Sequence, residues 1–180
     1  GGSPSLFPVL WGLWGYYVVR ADLPRAAQIG ERFLHLASEL RQPVALVDEF
    51  NPALDPAMGV RPVKAVRLLG QDFVLFRDTT GRVRCLADTC IHRGASLGLG
   101  KVKGDCIQCP YHGWQFDGEG NCRKIPSLGA NAAVPGRTRI DAYPVDERYG
   151  LVFAFLGDLP EAERPPILTV KEWGQEGWRT

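Results

Sequence analysis

Residues 90–120 read CIHRGASLGLGKVKGDCIQCPYHGWQFDGEG, a stretch dominated by two short pairs of metal-ligating residue types. The first pair is Cys90 with His92, the second is Cys109 with His112, and sixteen residues separate the pairs. In an extended Cys-x-His segment both side chains point to the same side, whereas a Cys-x-x-His segment needs a turn before its side chains converge. The proline inside the second pair and the glycine after it supply such a turn. Each pair therefore presents one thiolate and one imidazole.

The combination of sulfur and nitrogen ligands matches a cluster of two irons with unlike ends. In a Rieske-type [2Fe-2S] centre two cysteines hold one iron and two histidines hold the other, so each of two loops supplies one ligand to each iron. Gly94 and Gly113, which follow the two pairs, allow the backbone to approach the cluster, where amide donors stabilise its reduced form. We therefore predict that a [2Fe-2S] cluster is bound by Cys90, His92, Cys109 and His112.

A zinc site is the alternative interpretation of the same region. Cys106 and Cys109 form a CxxC unit, and Cys90 and His112 would complete the four ligands that structural zinc prefers. Residues 102–109, however, are expected to form one extended run, in which positions three apart face opposite ways. We expect the cysteines outside the predicted cluster to be buried thiols without an assigned role, namely Cys85, Cys106 and Cys122.

The ligand pairs and their flanks resemble the Rieske domain of the Rieske non-haem iron oxygenases. The resemblance rests on the Cys-x-His-Arg-Gly loop, the Cys-Pro-Tyr-His-Gly-Trp loop and the gap between them, and weaker similarity extends over residues 43–157. Ala95 and Tyr111 occupy the positions at which the Rieske proteins of cytochrome complexes carry a disulfide, and Trp114 stands where they carry a hydroxyl donor. These departures imply the oxygenase branch and a reduction potential at the low end of the roughly −150 to +300 mV Rieske range.

The resemblance also implies a larger enzyme, because Rieske oxygenases activate O2 at a mononuclear Fe(II) held by two histidines and one carboxylate. Once two of the three histidines bind the cluster only His35 remains, so this chain cannot build that second site. We expect Fe(II) and all catalytic residues to lie in an absent catalytic domain, with this chain only transferring electrons. The full-length protein would be an oxygenase α subunit that hydroxylates, demethylates or desaturates an organic substrate. The alternative is a freestanding ferredoxin-like Rieske carrier or a small subunit of another oxidoreductase.

Charge is distributed unevenly along the chain. Residues 61–103 carry nine Lys or Arg against three Asp or Glu, whereas residues 141–176 carry three against eight. The basic stretch is interpreted either as solvated strand faces or as a docking surface for an acidic redox partner. The resemblance implies a reductase or ferredoxin as that electron donor, and a homotrimer when the protein is full length. The docking surface would include Arg93, Lys101 and Lys103, beside imidazoles that face solvent.

Short β-branched and aromatic runs follow Pro43 and are separated by turn signals, a pattern typical of an antiparallel β domain. The clearest runs are residues 63–69, 73–76, 83–86 and 151–155, and tight turns are predicted at residues 70–71, 78–81 and 117–121. The predicted fold class is therefore mainly β, a Rieske-type antiparallel β domain with two cluster-binding loops.

The N-terminal part of the chain has a different pattern. Ala26, Ile29, Phe33, Leu36 and Leu40 recur at spacings of three and four, which predicts one amphipathic helix ahead of the β domain. The uncharged segment 6–19 is too short to span a bilayer as a helix, so packing is favoured over shallow membrane contact. We expect three segments: 1–42 with this apolar stretch and helix, 43–157 as the Rieske domain, and 158–180 as an extended arm or linker.

The overall composition excludes several function classes. With 45% hydrophobic residues, 23% charged residues and a formal net charge of +1, the chain is near the soluble average, which argues against general nucleic-acid binding and disorder. The sequence has five cysteines and no signal peptide. This usage favours a reducing, cytoplasmic compartment, where thiols bind metals more often than they form disulfides.

Overall fold

The computed structural model describes residues 24–25, 27–29, 31–32, 41–46, 62–129, 132–171 and 173–176. Within these ranges the strands are β1 (Arg41–Leu46), β2 (Val63–Leu68), β3 (Gln71–Arg77), β4 (Val83–Ala87), β5 (Lys101–Lys103), β6 (Cys106–Gln108), β7 (Gln115–Asp117), β8 (Cys122–Lys124), β9 (Ala142–Tyr143), β10 (Val145–Arg148) and β11 (Leu151–Phe155). They form sheets with the orders β1-β11-β10, β2-β3-β4-β9 and β5-β6-β7-β8. The predicted antiparallel, mainly β fold is confirmed.

The chain divides into two compact units. The larger unit contains Pro43–Ala154 and Ile167–Thr180, and the smaller unit contains Gly1–Gln42 and Phe155–Pro166. In the smaller unit the guanidinium of Arg41 donates a hydrogen bond to the carbonyl of Pro165 at 2.9 Å. The segment boundaries predicted at residues 42 and 157 stay predictions.

The described part of the predicted N-terminal helix is helical. Residues 24–25, 27–29 and 31–32 adopt helical backbone, whereas residues 26, 30 and 33–40 of the predicted helix lie outside the described residues together with the apolar segment 6–19. Among the helices within the described ranges, none has the length and apolar character needed to cross a membrane.

The β2-β3-β4-β9 sheet is built from the runs that the sequence pattern predicts. β2 and β3 pair from Val63 opposite Phe76 to Leu68 opposite Gln71, so the two residues between the strands form a tight turn. Those residues are Leu69 and Gly70, both with positive φ, +50° and +80°, as a hairpin turn that matches the strand twist requires. The turn predicted at residues 70–71 is therefore displaced by one residue.

The hydrophobic core is built around β3, where residues 73–76 are all buried. Because four consecutive residues are buried, both faces of β3 are covered. Val74 and Phe76 of β3 share a buried cluster with Leu86, Ile107 and Phe116. Cys90 and Cys109 belong to the same buried cluster. Burying each large apolar side chain contributes roughly 1.5–3 kcal/mol to folding. The two cysteines therefore lie in a core that this burial stabilises.

The β5-β6-β7-β8 sheet carries the second ligand loop at its tip. Val102 pairs with Ile107, and Ile107 pairs with Phe116, so β6 lies between β5 and β7. The expectation of one extended run over residues 102–109 was wrong, because Gly104, with φ +59°, and the next residue turn the chain between β5 and β6. The β6–β7 connection then begins at Cys109 and ends at Trp114.

The C-terminal described segment packs on the β10–β11 hairpin. The backbone N–H of Val170 donates to the hydroxyl of Tyr149 at 3.0 Å, and the ring of Trp173 lies 5.2 Å from the Tyr149 ring, centroid to centroid. Tyr149 has a φ of +57°, which is rare for a non-glycine residue. Of the two tryptophans near the C-terminus, Trp173 thus contacts Tyr149 within the larger unit, and Trp178 lies outside the described residues.

Candidate metal centre

The four predicted ligands come together as two like pairs. Cys90 and Cys109 are buried, with 1% and 2% of their surface exposed, and their thiols are close enough to interact. The imidazoles of His92 and His112 lie side by side, with ring centroids 4.6 Å apart and planes at 64°. The two thiols are therefore buried, and the two imidazoles are nearer the surface, where His92 is partly exposed and His112 is exposed.

The two loops that carry these ligands close in the same way. The backbone N–H of Cys90 donates to the carbonyl of Ala95 at 2.9 Å, and the N–H of Gly94 donates back to the carbonyl of Cys90 at 2.8 Å. In the second loop Cys109, Gly113 and Trp114 make the equivalent bonds, at 2.8 Å from Cys109 to Trp114 and 3.1 Å from Gly113 to Cys109.

Both closures depend on a left-handed glycine. Gly94 has a φ of +71° and Gly113 a φ of +72°. Any side chain at either position would be strained. The glycine after each ligand pair, which the sequence pattern singled out, is therefore required by the loop's own backbone.

Without a bound metal, the Cys90 side chain is a neutral thiol because its pKa is raised. Burial raises its pKa to about 11, and the adjacent thiol of Cys109 adds to the rise, while the backbone N–H groups of His92 and Arg93 oppose it by hydrogen bonding to the sulfur. Iron bound at this sulfur would displace the proton. The same N–H groups are the donors that a metal-bound sulfur needs to stabilise its negative charge.

The imidazole of His92 also favours its neutral form. Desolvation comes first among the causes that lower its pKa, followed by repulsion from His112 and Arg93. A neutral imidazole is the form that binds metal. The donor set of two adjacent thiols and two adjacent imidazoles thus fits a [2Fe-2S] cluster with unlike ends.

A buried carboxylate, Asp88, supports the first loop, and the sequence pattern did not reveal it. One of its oxygens accepts a hydrogen bond from the Ser96 hydroxyl at 2.5 Å, and the other accepts one from the Gly98 backbone N–H at 2.6 Å. Its own carbonyl accepts the N–H of Leu97 at 2.7 Å. Asp88 therefore fixes the chain just after the loop that holds Cys90.

Close backbone packing also ties the region between the loops to both sheets. A methyl group at Gly98 would lie 2.6 Å from the Cβ of Ala65, and one at Gly100 would lie 2.1 Å from the carbonyl oxygen of Gln108. No side chain fits at such distances. Gly98 and Gly100 are therefore required for the close approach of these segments to β2 and β6.

An aromatic contact joins the two loops. The indole of Trp114, in the second loop, lies parallel to the imidazole of His92 in the first, with an interplanar angle of 5° and centroids 4.6 Å apart. His112 instead contacts the ring of its neighbour Tyr111, tilted by 35° at 3.8 Å. The sequence shows Trp114 two positions after His112, but it does not indicate that the indole stacks on His92.

The remaining cysteines lie in strands, apart from the two like pairs. Cys85 and Cys122 are buried, and Cys106 is partly buried. Burial raises the pKa of Cys85 to about 12, and burial together with the carboxylates of Asp117 and Asp105 raises that of Cys106 to about 11. Within the described ranges, no three or more His, Cys, Asp or Glu side chains are arranged to hold a single metal ion. His35 lies outside those ranges.

The two loops and the segment that joins them expose apolar and basic side chains. Ile91, Leu99 and Tyr111 are 48%, 79% and 63% exposed, although each is a large hydrophobic side chain. The three predicted docking residues, Arg93, Lys101 and Lys103, are exposed as well. A shallow cavity of about 290 Å³ lies beside Cys109 and is lined by Leu99, Gly100, Lys101, Gln108, Cys109 and Pro110.

A family match covers both ligand loops. Residues 51–144, just over half of the chain, match the family described as the Rieske [2Fe-2S] domain.

Relatives with this similarity are oxygenase components. A 4beta-methylsterol monooxygenase of Methylococcus capsulatus is 41% identical over 120 residues, which are 66% of this chain and 32% of that protein. The phenoxybenzoate dioxygenase subunit alpha of Ectopseudomonas oleovorans is 42% identical over 127 residues, 71% of this chain and 28% of that protein.

A solved structure shares the fold. Dicamba monooxygenase with non-heme iron and dicamba aligns with a TM-score of 0.59 at 29% identity, over 72% of this chain and 37% of that one. The chain therefore spans about a third of the length of the proteins that it matches.

Proposed function

The chain belongs to the Rieske [2Fe-2S] domain family, and on that premise we propose that Cys90, His92, Cys109 and His112 hold its cluster for one-electron transfer. The observation that carries the proposal is the pairing of like ligands, thiol beside thiol and imidazole beside imidazole. When bound, a [2Fe-2S] cluster supplies a site that accepts and returns a single electron. The residues of this chain determine how that site is held, how far it is shielded and where electrons enter and leave.

The burial of the ligands assigns different tasks to the two pairs. Cys90 and Cys109 keep one end of the site away from water, where the N–H groups of His92 and Arg93 offset the charge on sulfur. His112 is exposed and His92 is partly exposed, so the imidazole end is the edge at which electrons are exchanged with other groups.

A redox titration tests the electron-transfer proposal. We expect the purified protein to be coloured, to bleach on anaerobic reduction, and to recover its absorption on reoxidation, with a one-electron Nernst curve. The midpoint is expected at the low end of the roughly −150 to +300 mV Rieske range, since Trp114 provides no hydroxyl donor to the cluster. A colourless protein rejects the function, and a midpoint well above about 100 mV rejects the oxygenase branch.

The chain acts as the electron-transfer part of an oxygenase. The supporting finding is that the matched relatives are oxygenase components, and the alignments cover only 32% and 28% of their lengths. The remainder of such a protein would hold a mononuclear Fe(II) and the substrate pocket, and would assemble as a homotrimer. The chain alone then transfers electrons without turning over substrate. Oxygen-dependent turnover by the full-length protein, absent from the isolated chain, tests this assignment against a freestanding carrier.

The basic residues beside the imidazoles form the entry surface for an acidic reductase or ferredoxin. Support comes from the exposure of Arg93, Lys101 and Lys103 and from the position of Arg93, which directly follows His92 in the chain. We expect the double reversal Arg93→Glu with Lys101→Glu to slow reduction by an acidic donor protein at low salt, because opposite charges accelerate encounter. The extent of reduction by excess dithionite should be unaffected. Lys171→Glu, an exposed reversal in the C-terminal segment, is the control, and equal rates for both variants would contradict the proposal.

A further inference from the structure

The two histidines have unequal surroundings, although the loops that present them close identically. His92 lies flat against the indole of Trp114, with planes 5° apart and centroids at 4.6 Å. His112 has no parallel partner among the described residues, and its ring contact is with Tyr111 of its own loop at a tilt of 35°. One imidazole is therefore supported by the opposite loop, and the other is not.

Trp114 is itself fixed at three points. Its carbonyl accepts the N–H of Cys109 at 2.8 Å and so closes the second loop. Its side chain packs against the buried core that contains Cys90 and Cys109. The following residue begins β7, which is paired with β6. An indole held in this way has little freedom to move, and it restricts the motion of the imidazole that stacks on it.

The equivalent residue of the first loop makes the same backbone contact but lacks a ring. Ala95 accepts the N–H of Cys90 at 2.9 Å, as Trp114 accepts that of Cys109, yet its side chain is a methyl group. The tryptophan is therefore not needed to close a loop of this shape. Its indole has a separate role, and that role concerns the imidazole it covers.

The contact matters because a histidine ring rotates easily. The torsion that turns an imidazole about its Cβ–Cγ bond is broad, so sequence position alone does not orient the ring nitrogens. A stacked aromatic neighbour limits that rotation, and its electron-rich face attracts an imidazole that is polarised by a metal.

We propose that Trp114 is a positioning residue that locks the plane of His92 and so couples the two ligand loops. This inference rests on the proposed cluster ligation. Removing the indole frees His92 to turn, which loosens one of the two imidazole ligands while both thiols remain in place. Iron is then lost faster, and the electronic environment of the histidine-ligated iron changes.

The test compares Trp114→Leu and Trp114→Met with Trp114→Phe, which keeps an aromatic face. Release of iron to a chelator is timed, and the reduced proteins are examined by electron paramagnetic resonance. We expect both non-aromatic variants to lose iron about three to ten times faster than the wild type, the range that the loss of one aromatic pair allows. Their g values should shift, and Trp114→Phe should restore most of the wild-type behaviour.

Trp173→Leu removes a partly exposed tryptophan that packs on Tyr149 and serves as the control for stability. Its release rate and g values should match the wild type even where its unfolding midpoint falls. Wild-type spectra and release rates in Trp114→Leu, or in Trp114→Met if the leucine variant does not fold, would overturn the positioning role while leaving the cluster intact. Absence of any iron cluster from the wild type would instead reject the proposed function, and this inference with it.

Discussion

The two ligand loops share a backbone and differ in their side chains. In each, the N–H of a cysteine binds the carbonyl five residues on, and a left-handed glycine binds back to the cysteine carbonyl. The histidine, however, is two residues after Cys90 and three residues after Cys109. His92 stacks on the indole of Trp114, while His112 is exposed. The common backbone determines where sulfur lies, and the unlike side chains determine how firmly each nitrogen is held.

The largest expected effect comes from removing a thiol common to both loops. Cys90→Ala and Cys109→Ala should each abolish the visible absorption and the iron content, because an iron of the cluster loses one of its two cysteine ligands. Cys106→Ala is the matched control, since Cys106 is the cysteine that only the zinc interpretation uses. Metal analysis of the three variants decides between a [2Fe-2S] cluster and a zinc site. Loss of metal in Cys106→Ala, with zinc in the wild type, would contradict the account.

Asp88 supports only the first loop, so its removal should destabilise the first loop and leave the second loop unchanged. Asp88→Ala leaves the Gly98 N–H and the Ser96 hydroxyl without their buried acceptor. We expect the free energy of unfolding to fall by about 2–3 kcal/mol. Hydrogen exchange should accelerate at residues 96–98 and stay unchanged at residues 113–115.

Asp88→Asn, which keeps one acceptor oxygen, should cost less than Asp88→Ala. Equal acceleration of exchange in both loops would show that they do not depend on separate supports.

The turn at residues 78–81 shows how this fold stabilises a loop without metal. Burial alone would raise the pKa of Asp78, but hydrogen bonds from Thr80, Arg84 and the backbone of Arg82 outweigh it and lower the pKa to about 2. The folded-state value is below the unfolded one, so the stabilisation is present above about pH 4 and is lost as the pH falls toward 2. We expect it to reach about 2 kcal/mol.

Urea unfolding of the wild type and Asp78→Asn between pH 2 and 6 measures this term. The difference in unfolding free energy between the two proteins should shrink as the pH falls. A difference that stays constant over this range would contradict the role given to Asp78.

The smallest expected effect is a difference between the two loop glycines. Gly94→Ala introduces left-handed strain alone, because a methyl group there meets nothing within 4 Å and the strain is about 1–2 kcal/mol. At Gly113 the methyl group would also lie 3.2 Å from Pro126 and 3.3 Å from the Gln108 side chain. We expect Gly113→Ala to be the more destabilising by about 1 kcal/mol in urea unfolding. Equal costs would mean that the second loop yields more readily than its packing indicates.

Local sequence pattern was enough to predict the family and most of the sheet. Residues 73–76 form a continuous apolar run, and this is the strand that the structure buries. The family, the cluster it implies and the β fold follow from residues that are close in sequence. Pattern failed at residues 104–105, where a glycine before a polar residue turns the chain but was included in a longer run.

Contacts between distant segments could not be predicted in this way. Asp88 bonds to Gly98, and Trp114 stacks on a ring 22 positions earlier, and neither spacing corresponds to a helical or strand period. Such partners are determined by how the loops dock on the core. The ligand assignment, the homotrimer, the cytoplasmic location and the segment boundaries stay predictions.

Pulsed electron paramagnetic resonance of the reduced protein, with its histidines labelled by nitrogen-15, tests the unlike ends of the cluster most directly. We expect strong coupling of the unpaired electron to two histidine nitrogens, because the proposed ligands include two adjacent imidazoles, those of His92 and His112. Mutation of either histidine should remove one coupling. A reduced cluster without any histidine nitrogen coupling would contradict the central claim.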